Sequence, residues 1–190
     1  MQLNLTAPEY QWPSEWKPRG YGTFDTESFD DWWERMDSYF PGVDLRVLQQ
    51  WMHRHWDDSE YWGLPISNLT SRLECWSIDS ILTQKGTPLL ADIARKYPSP
   101  DEEFEDLNSK EASRYEPMFS MNSTGTWNIP LLVLHSLDGF IYHEQTFVSS
   151  RYWLIEGHQR LRYLRAMASC GSPADEHEVL VIQTTKHALL

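Results

Sequence analysis

Residues 150–184 run strand, glycine, helix, strand, and this order constrains the fold more than any other feature of the chain. A strand predicted over 150–155 leads into Glu156-Gly157-His158-Gln159-Arg160. The helix that follows is expected to reach about Ala168 and to stop near Gly171-Ser172-Pro173. Residues 178–184 (Glu-Val-Leu-Val-Ile-Gln-Thr) then read as a last strand. Upstream, 129–135 is a continuous apolar run, which predicts a strand buried on both faces. Asp138-Gly139 is a turn signal ahead of a strand or hairpin over 140–147. Strands interleaved with a helix in this way imply an α/β domain built on a mixed sheet.

The rest of the chain is less regular. Residues 73–82 look like a strand with irregular alternation around Cys75, Trp76 and Ile78. A short helix is expected over 89–97, ended by Pro98-Ser99-Pro100. Five acids crowd the six positions 101–106, and the polar stretch continues to Asn128, which predicts an acidic loop near 98–128. Residues 1–25 are rich in Pro, Gly and aromatics and read as an irregular arm. Thr26 or Ser28 can cap a helix that carries Phe29, Trp32, Trp33, Met36 and Phe40 at spacings of three and four. Pro41-Gly42 stops it. A second helix from Asp44 to about Asp57 would turn Leu45, Leu48, Trp51 or Met52, and His55 or Trp56 to the core, forming an antiparallel hairpin with the first. The expected organisation is a Trp-rich helical extension over 1–70 and a mixed-sheet core over 71–190.

A net charge of -12 over 190 residues argues against specific duplex DNA binding, which needs a basic footprint to displace counterions. The same charge, with ten Trp and nine Tyr, suits a basic protein target met through an acidic aromatic surface. Cys75 and Cys170 are expected to be unpaired, buried thiols in a reducing compartment. Residues 1–21 lack signal-peptide organisation and no apolar run reaches membrane-spanning length, so a cytoplasmic protein without membrane contact is expected. His53 and His55, with Asp57 and Asp58, lie out of phase for one metal-binding face, and no metal site is predicted. His135 and His143 read as a cross-strand pair, and Lys85 and Arg95 as solvated charges.

The chemistry concentrates at 154–165. A glycine between strand and helix tolerates positive φ and lets a ligand approach the backbone. The first helical N–H groups lack intrahelical partners and, with the helix dipole, favour an anion. His158, Arg162 and Arg165 fall at i, i+4 and i+7 on one face, while Leu161, Leu164 and Ala168 would anchor another. Arg160 lies in the first turn, able to reach an anion there. Glu156 can act as a base, orient a water or hold magnesium, and His158 as a phosphate donor or general acid. A surface helix whose arginines pair with the excess acids is the competing reading.

Ile155-Glu156-Gly157-His158-Gln159-Arg160-Leu161-Arg162 resembles the signature of the ParB/sulfiredoxin superfamily. The segments 76–81, 130–134 and 178–182 resemble strands of that domain at the level of pattern, and the likeness spans roughly 73–185. The resemblance implies a ParB/sulfiredoxin-like core that binds ATP or another nucleotide with Mg2+, and ATPase, phosphotransferase or nuclease activity. It implies phosphate-binding roles for Gly157 and Arg160, with His158, Gln159, Arg162 and Arg165 around them and Glu156, His158 and Arg160 as catalytic candidates. His158 stands where sulfiredoxins carry their cysteine nucleophile, which removes the sulfinic-acid repair reaction. No helix-turn-helix is expected beyond residue 185, which with the charge argues against chromosome partitioning. In size and architecture the chain resembles the plasmid fertility-inhibition proteins of this superfamily. The alternative is a non-catalytic inhibitor or immunity protein on the same fold.

Overall fold

The computed structural model describes residues 3–5, 12–56, 69–83, 99–109, 116–142 and 146–184. The helix expected at 89–97, and the side chains of His143, Lys85 and Arg95, lie outside the described residues. The chain divides into two compact units: Leu73–Leu134 with Tyr152–Val181, and Met1–Arg72 with His135–Arg151 and Ile182–Leu190. The protein is mixed α/β.

The first of these units holds the candidate site. Its sheet has the order β2 (Leu69–Ser77), β7 (Glu176–Thr184), β3 (Leu131–His135), β6 (Tyr152–Glu156). On the two central strands, Val179, Val181 and Leu132 are fully buried. Apolar residues at consecutive positions need cover on both faces of the strand. The β6–α6 connection leads into α6 (His158–Cys170), whose Leu161, Leu164 and Met167 pack with Leu131, Val133 and Leu154.

Three sequence expectations fail here for local reasons. The strand expected over 73–82 ends at Ser77, and Ile78–Thr83 forms a helix, α3. The Ser77 hydroxyl accepts from the Ser80 amide at 3.2 Å and so starts that helix. The acidic run expected to be a loop is a helix, α4 (Pro100–Leu107). Ser99 at the cap, Pro100 at the first position and acids in the first turn are all helix-starting chemistry. The Glu102 amide reaches the Ser99 hydroxyl at 3.4 Å. The polar stretch that follows includes α5 (Glu116–Thr124), which buries Met118 and Met121. Ala168, expected in the core, is exposed near the end of α6, where Ala166 and Met167 face inward instead.

The thiols are also not buried. Cys75 lies on the exposed face of the edge strand β2, and Cys170 is the last residue of α6. The Cys170 Sγ donates to Asp101 at 2.7 Å, and this hydrogen bond pushes the thiol's pKa up.

In the other unit, the described residues among 1–25 are more than an arm. Leu3–Asn4 forms a short strand, β1, parallel to β4 (Phe140–Tyr142), which pairs antiparallel with β5 (Thr146–Val148). The first expected helix is α1 (Phe29–Met36), capped by Ser28, whose hydroxyl accepts from the Asp31 amide at 3.2 Å. Asp44 caps the second, but only Leu45–Val47 is α-helical (α2), and Leu48–His53 continues as a π-helix. The wider i→i+5 turn puts three consecutive residues, Gln50, Trp51 and Met52, inside. Leu45, expected in the stripe, is 46% exposed. Trp12 packs edge-on to Trp51 and Trp16 edge-on to Phe40, with ring centroids 5.2 and 5.0 Å apart. His53 is held structurally, its Nε2 2.8 Å from the Glu27 carbonyl.

Among the described residues no helix is long and apolar enough to cross a membrane.

Candidate functional site

The site is the turn between β6 and α6. Gly157 adopts φ 108, ψ 22, the left-handed region that side chains rarely enter. A Cβ there would also collide with the Leu131 side chain and crowd the Arg160 guanidinium. Two separate requirements therefore select glycine. Gly157 brings no capping side chain to the helix it opens, and its carbonyl accepts the Leu161 amide at 2.9 Å.

Arg160 is placed differently from the expectation that it reaches outward. Its side chain is 6% exposed, and Nη1 donates to the carbonyls of Ile129 and Pro130, the latter at 2.7 Å. Nη2 lies 3.5 Å from the Glu156 carboxylate. The guanidinium thus ties the first turn of α6 to the residues that lead into β3. It still lends positive charge to the turn from beneath. Glu156 offsets part of that charge and keeps a partly exposed carboxylate at the strand end.

Searches of family models, curated proteins and solved structures gave no match to this chain.

The turn itself carries the surface chemistry. His158 and Gln159 are exposed on the first turn of α6. Arg162 and Arg165 are half-buried further along the helix, Arg162 with its guanidinium 5.5 Å from the Tyr163 ring centroid. At 1.5 Å per residue, the Arg165 backbone sits about 10 Å along the axis from His158. The structure therefore brings Glu156, Gly157 and Arg160 together, sets His158 and Gln159 on the same turn, and leaves Arg165 apart. Among the described residues no cluster of three or more His, Cys, Asp or Glu could hold a metal ion.

Sequence reasoning missed the carbonyls of Ile129 and Pro130 as partners of Arg160. Main-chain acceptors leave no residue-type signal. The one hint is Pro130, which offers a carbonyl and no N–H just before the strand.

What the arrangement supports chemically is anion recognition. Outward N–H groups at the start of a 13-residue helix align with its dipole. A buried cation stands behind them. Phosphate oxygens are the anion that best uses several such donors at once.

Proposed function

We propose that this is a nucleotide-binding protein with a ParB/sulfiredoxin-like core, which holds nucleotide phosphates on the amides of Gly157, His158 and Gln159. The observation that carries the reading is the left-handed Gly157 opening α6, with exposed residues on its first turn and the Arg160 charge beneath. Arg160 positions the turn and supplies field; it is a positioning residue rather than a direct phosphate clamp. Arg162 flanks the bound phosphates and Arg165 contributes only at longer range. Hydrolysis or phosphoryl transfer would rest on positioning and charge neutralisation. Glu156 orients a water or the acceptor, and His158 donates a proton to a leaving oxygen. Magnesium would arrive on the nucleotide, held mainly by its phosphates. A role as a plasmid-type inhibitor of a bacterial process such as conjugation, or as a nuclease, belongs to this reading only through the sequence resemblance.

Two observations favour a second reading, a non-catalytic binding protein. The Arg160 guanidinium is already engaged by two protein carbonyls, and Phe24, Leu137 and Phe147 are exposed in the other unit.

The test is calorimetric titration of ATP, CTP and ADP, each with magnesium, into wild type and Gln159→Glu. The added carboxylate suits the helix dipole, so folding is retained, but it repels phosphate. Binding by wild type and a loss of about tenfold or more in the variant are expected, since 1.4 kcal/mol is tenfold. No binding by wild type overturns the enzyme reading, and equal binding by the variant overturns the site.

A further inference from the structure

Phe24 stands at the tip of a loop closed by hydrogen bonds, yet the residue is wholly exposed, at 109% of the reference value. The loop is closed at its base in both directions. The Glu27 amide donates to the Arg19 carbonyl at 2.8 Å, and the Arg19 amide donates to the Glu27 carboxylate at 3.0 Å. Within it, the Gly20 carbonyl accepts from the Thr23 amide and from the hydroxyls of Thr23 and Thr26, at 2.7–3.0 Å. Gly20 has φ +66, and a Cβ there would stand 2.5 Å from the Asp25 carbonyl oxygen. The Tyr21 hydroxyl donates to the Arg54 carbonyl at 3.1 Å, which fixes the loop to the end of the π-helix.

Ordering a loop costs backbone entropy that burial normally offsets. Here the large apolar side chain contributes no burial. The neighbouring aromatics show that the fold buries such groups where it can: Trp16 and Trp32 are at most 9% exposed. A preorganised loop that displays one aromatic has the anatomy of an interface anchor, because the ordering cost is met before the partner arrives.

The surroundings define the partner's charge. Residues 15–39 hold seven acids and three bases. Asp25, Asp30, Asp31, Glu34 and Asp37 are exposed, whereas Arg35 is spent on Glu27 and on the carbonyls of Glu15 and Lys17. Lys17 lies 5.2 Å from the Tyr21 ring centroid, and Arg19 is exposed at the base of the loop. The acids dominate, and a chain of net charge -12 is repelled by an anionic lipid leaflet.

We infer that Phe24 is the anchor of a docking surface for a basic protein, inserting into an apolar pocket whose rim carries Lys or Arg. This surface is independent of the proposed nucleotide site, so either can fail without the other.

The experiment pans a random-peptide phage library against the full chain, with Phe24→Ala and Glu34→Lys as counter-targets. Enriched peptides are expected to combine apolar residues with Lys or Arg. They should bind Phe24→Ala about tenfold or more weakly, as loss of a buried aromatic predicts. They should also weaken with Glu34→Lys and with added salt. Thermal unfolding of Phe24→Ala should match wild type. The inference is overturned by no enrichment over Phe24→Ala, by enriched peptides without basic residues, by Phe24-dependent binding to phosphatidylserine vesicles, or by Phe24-dependent self-association in sedimentation. A marked loss of thermal stability in Phe24→Ala would equally overturn it, by giving the residue a folding role.

Discussion

Arg160 takes a permanent charge into the interior, with its side chain 6% exposed, and it is tolerated because two main-chain carbonyls and a carboxylate meet it. Removing it would leave the Ile129 and Pro130 carbonyls and Glu156 short of a partner. Arg160→Ala is therefore expected to destabilise the protein by about 2–5 kcal/mol. At this chain length that is roughly a 5–15 °C drop in Tm. Chemical and thermal unfolding measure it, and a loss under about 0.5 kcal/mol, the level of an ordinary surface change, would contradict the structural role. The same logic explains why Arg160→Ala is a poor test of ligand binding: it disturbs the turn before any ligand is considered. Gly157 was legible from the sequence, since a glycine between an apolar strand and an amphipathic pattern demands an unusual backbone. The inward direction of Arg160 was not legible, because both of its carbonyl partners are main-chain atoms about thirty residues away.

At the scale of elements, the apolar strands 131–135 and 152–156, the strand or hairpin after Asp138-Gly139, and the final helix and strand were readable from apolar runs, helical spacing and turn signals. The segment 99–124 was not. Its composition is polar and acidic, and composition argues for a loop. The local signals argue otherwise: Ser99-Pro100 with Glu102 is a capping sequence, and Met118 and Met121 are three apart. Tertiary burial then completes α5, whose residue average is only weakly amphipathic. Met121 is fully buried in the core with Leu161 and Leu164. Met121→Ala is expected to cost about 2–5 kcal/mol in urea unfolding. A cost below about 0.5 kcal/mol would mean that α5 does not pack there. The described part of the N-terminal segment likewise packs through aromatic contacts that no period announces, such as Trp12 with Trp51.

For the whole molecule, the shifted titrations of His177, Glu27 and Asp44 point toward acid sensitivity. His177 is 1% exposed, and burial holds its imidazole below the usual value of 6.5. The unfolded chain then takes up a proton near pH 6.5 that the folded protein refuses, so stability falls as pH drops from there toward the folded value. Glu27 and Asp44 are lowered below 4.5 and 3.8, chiefly by hydrogen bonds from Arg35 and Arg46. Their contribution is present above those values and is lost as pH falls through the depressed range. Tm against pH should therefore decline in two stages. His177→Gln should remove the first stage and leave the second. A single stage in wild type, or an unchanged first stage in the variant, would contradict the assignment.

The central claim is that the glycine turn opening α6 binds nucleotide phosphate. It is tested most directly by recording amide ¹⁵N–¹H spectra while magnesium ATP is added to the wild-type chain. The account predicts saturable shifts concentrated at the amides of Gly157, His158, Gln159 and Arg160, reduced in Gln159→Glu. Saturable shifts centred elsewhere, or no shifts at millimolar nucleotide, near the weak limit of specific binding at about 4 kcal/mol, would contradict it.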